Sequence, residues 1–120
     1  MSNDVTISIT GAQADITVIQ VQRFLDAVVA YSLQEQVYEL IREGNYKYII
    51  DLEGLEQLSS AGIGLFSGLV VELRKYDGHL IFLHVPEQVE HLFQTTGLIE
   101  LFTIGENMAQ AIATLEAGSM

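Results

Sequence analysis

Apolar and polar positions change period several times along the chain. "VTISIT" (5–10) and "DITVIQV" (15–21) show β-branched, period-two character and are split by "GAQA", which predicts two strands joined by a hairpin-like turn. From Asp26 to Glu43 the period becomes helical: Ala30, Leu33, Val37, Leu40 and Ile41 recur on one face, and Gly44 follows as a helix stop. "YKYIIDL" (46–52) and "HLIFLHV" (79–85) are short, nearly unbroken apolar runs, as expected of strands covered on both sides. Between them a second helix is predicted from about Ser60 to Tyr76. Pro86 then suits the first turn of a third helix, "PEQVEHLFQTT", closed by Gly97. "LFTI" (101–104) reads as a last short strand and "NMAQAIATLEAG" as a terminal helix.

Strands alternating with helices over short connections predict an α/β fold. The expected sheet is mixed and mostly parallel, with four to five strands, an antiparallel edge from the first hairpin, and about four covering helices. A chain of 120 residues fits one domain over 1–120, with its core at about 5–115. No repeat, linker or low-complexity stretch interrupts it.

Composition narrows the chemistry. The absence of cysteine removes disulfides, thiolate metal sites and thiol nucleophiles. The start "MSNDVTISIT" has no basic or apolar leader, and no run approaches a membrane span; a soluble, cytoplasmic protein is expected. Sixteen Asp+Glu against five Lys+Arg give a formal charge of −11. Such a field repels phosphate backbones and anionic lipid, so neither nucleic acid nor membrane is expected as a partner. It suits a protein with a basic face.

"LEQLSSAGIGLF" (55–66) lies where a strand and its loop give way to the second helix. Loops leaving the carboxyl ends of strands are where open α/β sheets gather their sites. On a helical wheel, Ile63, Phe66, Leu69, Val70 and Leu73 share the face expected to pack on the sheet. Ser60, Gly64, Ser67, Gly68 and Val71 share the opposite face, nearly bare of large side chains. Glycine inside a helix costs about 1 kcal/mol relative to alanine, so Gly64 and Gly68 need a reason: close packing within the domain, or a smooth surface for a partner. One serine suffices as a helix cap, worth about 1 kcal/mol. With Ser59 as cap, Ser60 falls in the first turn with its hydroxyl outward. A phosphate there is favoured by the helix N-terminus, yet adds about two negative charges to any docked surface.

The segment "YIIDLEGLEQLSSAGIGLFSGLVVELRKYDGHLIFLHV" resembles the STAS domain of bacterial anti-sigma factor antagonists. "ITVIQVQRFLDA" is similar to that family's second strand and the Leu-Asp pair opening its first helix, and "VEHLFQTTGLIELFTI" to the segment running into its last strand. The resemblance spans about residues 5 to 115. It implies a non-catalytic module that binds an anti-sigma factor, itself a serine kinase, and so frees a sigma factor. Phosphorylation of the antagonist ends the interaction, and a PP2C-type phosphatase reverses it. The family pattern runs Asp, acceptor Ser, a small residue, Gly. Setting its Gly on Gly62 places Ala61 in the small slot and Ser60 at the acceptor, with Ser59 as second choice. Ser59 stands where many members have Asp. The glycine usual two or three residues before the Leu-Asp aspartate is missing, since "VQRFLD" has Arg23 and Phe24. The implied docking face is Asp26, Leu58, Ser59, Ser60, Ala61, Gly62, Gly64, Ser67 and Gly68.

Two other readings stay open on the residues: a STAS scaffold that is never phosphorylated, within a signalling or transport complex, and a small-ligand or nucleotide sensor. No cofactor, metal or catalytic residue is expected. His79 and His84 differ by an odd number along one strand and point to opposite faces. Asp51 and Glu53 have no histidine or lysine near in sequence to complete acid–base chemistry; Asp51 is expected to fix its loop by accepting backbone N–H bonds. "GIG" lacks the rest of a phosphate-binding loop. Oligomeric state, and the particular sigma factor and kinase, are not read from the residues.

Overall fold

The computed structural model describes residues 4–117. β1 (Val5–Thr10) and β2 (Ile16–Val21) form the antiparallel hairpin, with Thr10 opposite Ile16. β3 (Arg23–Leu25) follows almost at once, then α1 (Ala27–Arg42), β4 (Lys47–Asp51), β5 (Leu55–Leu58) and α2 (Ser60–Arg74). β6 (His79–Leu83), α3 (Glu87–Thr95), a 3-10 turn (Leu98–Glu100), β7 (Thr103–Ile104) and α4 (Met108–Glu116) complete the described chain.

The main sheet has the order β1-β2-β4-β6-β7. Only β1 runs antiparallel to its neighbour; β2, β4, β6 and β7 are mutually parallel. The apolar runs in β4 and β6 are central because helices cover both of their faces. On one side Ile19, Val21, Tyr48, Ile50, Leu80 and Phe82 meet Leu33, Val37 and Ile41 of α1, Leu65, Phe66 and Leu69 of α2, and Val89 and Phe93 of α3. On the other, Ile16, Val18, Ile49, Ile81 and Leu83 pack under Ala111 and Leu115 of α4. Phe82 anchors an aromatic group, its ring 5.1 Å from Phe66, 5.7 Å from Phe93 and 4.8 Å from Phe102, in tilted or edge-on contacts that suit ring quadrupoles.

Helix punctuation follows local chemistry. Asp26 caps α1, its Oδ1 accepting the Val29 N–H at 2.9 Å. Gly44 ends that helix at φ +100°, a conformation other residues rarely adopt. In α1, Ala30, Leu33, Val37 and Ile41 are buried and Leu40 is half-buried.

Several expectations need correction. In α2 the buried stripe is Gly62, Leu65, Phe66, Leu69, Val70 and Leu73; Ile63 is only half-buried and Leu65 takes its place. Packing against α1 as well as the sheet widens the buried arc and turns it toward Leu65. The last strand is two residues rather than four, because the 3-10 turn carries the chain past Leu101. Pro86 is the cap of α3 rather than a residue of its first turn. Finally, the segment read as loop before the second helix contains β5, which pairs in parallel with β3 as a separate two-stranded sheet.

Candidate functional site

The small β3–β5 sheet builds the site. β3 runs into α1 after one residue, Asp26, and β5 runs into α2 after one residue, Ser59. Their register, Phe24 with Gln57 and Leu25 with Leu58, therefore sets two helix N-termini side by side. Ser59 locks the pair: its backbone N–H and its hydroxyl both donate to the Leu25 carbonyl, at 3.0 and 2.7 Å. The same Oγ accepts the Gly62 N–H at 3.1 Å, capping α2. Its hydroxyl is thus engaged as donor and acceptor at once.

The expected docking residues separate by exposure. Asp26, Ser60 and Gly64 are exposed; Leu58, Ser59, Ala61, Ser67 and Gly68 are half-buried. Gly62 is buried, and this corrects its place on the surface. A Cβ there would stand 2.6 Å from Leu58 Cδ1 and 2.9 Å from Leu25 Cδ2, so the residue admits the small sheet beneath the helix. The two other glycines differ in kind. A Cβ on Gly68 would meet the Tyr38 hydroxyl at 3.2 Å, whereas around Gly64 none of the described residues lies within 4 Å. Ser67 donates its hydroxyl to the Ile63 carbonyl one turn back. Open ground at the start of α2 is therefore Ser60 and Gly64, and no acidic residue sits in that first turn to offset the helix dipole.

Sequence reasoning missed the apolar shelf beside this ground. Phe24 is 43% exposed, Val28 77% and Tyr31 64%. A shallow groove of about 290 Å³ runs between Phe24, Leu25, Asp26, Gln57, Leu58 and Ser59. The signal was available: Val28 and Tyr31 are apolar, three residues apart and off the Ala30–Leu33–Val37 stripe.

A second constellation forms where β4 and β6 end. As expected, Asp51 fixes its loop, its Oδ1 accepting the Glu53 N–H at 3.0 Å. Unexpectedly, the same oxygen lies 2.9 Å from Nδ1 of His84, and Glu53 Oε1 lies 4.0 Å from that nitrogen. Parallel register does this, pairing Asp51 with Leu83. His84 follows in the left-handed region, at φ +53°. The hydrogen bond to Asp51, reinforced by the charges of Asp51 and Glu53, raises the His84 pKa above 6.5 against a smaller opposing effect of burial. His79 stands at the other end of β6 and takes no part.

Fold and helix starts together define the class, a small α/β module presenting an exposed hydroxyl at a capped helix start. A STAS domain model matches residues 9–111, and the chain belongs to the STAS domain family. It is 30% identical over 92 residues to the anti-sigma-B factor antagonist of Staphylococcus epidermidis, covering 77% of this chain and 85% of that protein. The Staphylococcus aureus counterpart matches at 30% over 82 residues, covering 68% and 76%. Among solved structures, a putative anti-sigma factor antagonist from Thermotoga maritima superposes with a TM-score of 0.85 at 16% identity, over 95% of this chain and 96% of that one. Unphosphorylated SpoIIAA, an anti-sigma factor antagonist, gives 0.76 at 19% identity over 95% and 98%. The Bacillus cell-fate determinant SpoIIAA in its phosphorylated form gives 0.74 at 22% over 92% and 99%. Among the described residues no helix is long and apolar enough to cross a membrane.

Proposed function

We propose that this protein is a cytoplasmic anti-sigma factor antagonist, a partner-switching regulator of transcription that binds its anti-sigma factor through the two helix starts and is released by phosphorylation of Ser60. The observation that carries this reading is the division of labour between the serines. Ser59 is held at both ends by hydrogen bonds, while Ser60 is exposed on the first turn of α2 beside the open Gly64. The docking surface combines the Phe24–Val28–Tyr31 shelf, which supplies apolar area, with Asp26, which offers a carboxylate to a basic group of the partner. Within the molecule a phosphate on Ser60 is tolerated, because the first turn of α2 has no carboxylate of its own and its dipole favours an anion. Across the interface it is not tolerated. It adds about two charges and a hydration shell to the flat ground where the partner must seat.

The anti-sigma factor is read as the serine kinase and a PP2C-type enzyme as the phosphatase, on the family resemblance and the fold. The test is phosphorylation with the anti-sigma kinase of the same genome and ATP, followed by mass spectrometry and a binding assay. One phosphate on wild type, none on Ser60→Ala, and loss of kinase binding by Ser60→Glu are expected. Labelling of Ser60→Ala at the wild-type rate would overturn the assignment. Stable binding to the partner with no labelling would leave the unphosphorylated scaffold as the better reading.

A further inference from the structure

We propose that His84, Asp51 and Glu53 form a binding site for a single divalent cation of the zinc type, at the sheet edge where β4 and β6 end. The site lies outside the helix-start surface and does not depend on the Ser60 reading.

Three observations carry it. The first is donor geometry. His84 Nδ1 stands 2.9 Å from Asp51 Oδ1 and 4.0 Å from Glu53 Oε1, and the three donor atoms all lie within 4.8 Å of one another. Zinc holds nitrogen and carboxylate oxygen at about 2.0–2.2 Å, so two of its ligand atoms stand roughly 3–3.5 Å apart. The His84–Asp51 pair already meets that spacing to within a few tenths of an ångström. Glu53, whose side chain is 75% exposed, is free to swing in by about 1 Å, leaving a fourth position for water.

The second is how the donors are held. Asp51 is nearly sealed, its side chain only 6% exposed, and the Glu53 N–H fixes the oxygen that faces His84. That bond serves as the outer support ligating carboxylates commonly have. The loops carrying the donors are also joined, the Leu52 N–H donating to the Leu83 carbonyl at 3.0 Å. A cation here would fasten the turn after β4 to the turn after β6.

The third is charge. The ion pairs of Arg23, Arg42, Lys47 and Lys75 go to Asp4, Glu39, Asp15 and Glu72. Among the described residues, Asp51 and Glu53 pair with no lysine or arginine, only with His84. In a chain of formal charge −11 the surrounding field attracts cations. The imidazole selects the metal: a nitrogen ligand suits zinc, nickel or copper, whereas magnesium and calcium prefer all-oxygen sets.

The test uses the metal-free full chain titrated with Zn²⁺ by calorimetry, with imidazole ¹⁵N spectra and melting temperature as parallel readouts. One saturable site is expected, with the shift confined to His84 and a melting temperature that rises with Zn²⁺. His84→Asn, which keeps a residue tolerant of positive φ, should weaken binding by at least about tenfold. Glu53→Gln, at an exposed position that cannot unfold the protein, should weaken it several-fold. His91→Gln should leave it unchanged, and Mg²⁺ in excess should not displace the ion. Absence of a saturable site in wild type, or wild-type affinity in His84→Asn, would overturn the proposal. So would displacement by Mg²⁺.

Discussion

Gly62 and Gly64 are two residues apart on one helix, and the same substitution should act on them with opposite sign. Replacing glycine by alanine inside a helix contributes about 1 kcal/mol of stability through backbone entropy and propensity. At Gly64 no described residue opposes that gain, since a Cβ there meets none of their atoms within 4 Å. Gly64→Ala should therefore stabilise the domain by about 0.5–1 kcal/mol. At Gly62 the new methyl would stand 2.6 Å from Leu58 Cδ1, 2.9 Å from Leu25 Cδ2 and 3.0 Å from Leu25 Cγ. Leu58 is half-buried and can turn aside. Leu25 is 0% exposed, and its own carbonyl is pinned by Ser59, so it cannot yield without moving β3. Overpacking of this kind costs about 1–3 kcal/mol, which outweighs the propensity gain and leaves Gly62→Ala less stable than wild type by about 1 kcal/mol. Because the gain is common to both variants, their difference isolates the overpacking, about 1–3 kcal/mol. Urea unfolding followed by circular dichroism measures it, with equal slopes confirming that the midpoint shift is a stability change. Equal stability of the two variants, or a Gly62→Ala more stable than wild type, would refute the close approach of the β3–β5 sheet to α2. On the proposed docking reading, Gly64→Ala should also weaken partner binding while strengthening the fold.

Three further outcomes follow from single contacts. Ser59→Ala should cost about 1 kcal/mol by removing the cap of α2, whereas Ser59→Asp should restore the Gly62 contact but set a carboxylate against the Leu25 carbonyl that now receives a hydroxyl at 2.7 Å; denaturant titration of the pair separates capping from this second bond, and equal recovery in Ser59→Asp would show that the bond to Leu25 contributes nothing. Tyr48→Phe should be neutral or stabilising by up to about 1 kcal/mol, since the buried Tyr48 hydroxyl has no protein hydrogen-bond partner among the described residues; a loss of stability would show that this hydroxyl is satisfied. In chelator-containing buffer, the stability advantage of wild type over His84→Asn should be largest at low pH. The His84 pKa is raised in the folded state above its ordinary 6.5, so the contribution is full below about 6.5 and fades as pH rises through the elevated folded value. An advantage that grows toward alkaline pH would contradict the Asp51 pairing.

The hairpin, the four helices and the central strands were legible because each carries its own period: two for β1 and β2, 3.6 for α1, unbroken apolar runs for β4 and β6. The cap at Ser59 and the exposure of Ser60 were legible too, since both depend on chain neighbours within one turn. β3 and β5 were not. Three and four residues long, they have no period to display, and "LEQL" reads equally well as loop. The buried arc of α2 was misplaced by one residue because its direction depends on α1 as well as the sheet. In the observed register Asp51 pairs with Leu83, one residue before His84, and that meeting was readable only once the two strands were known to be parallel neighbours.

By itself the sequence determined the hairpin strands, the central strands β4 and β6 and the four helices, because hydrogen bonding and side-chain direction within an element are set by neighbours a few residues away. It determined as well that the chain carries a strong net negative charge and one paired-serine helix start at a strand's carboxyl end. Tertiary structure alone decided that Asp26 and Ser59 stand together, that Gly62 is an internal spacer while Gly64 is open, and that His84 meets Asp51. Asp26 and Ser59, Gly62 and Leu25, and Asp51 and His84 are each more than 30 positions apart in sequence, and their meeting in space is fixed by strand register. Register is chosen by the packing of the whole sheet between its helices rather than by any residue that takes part.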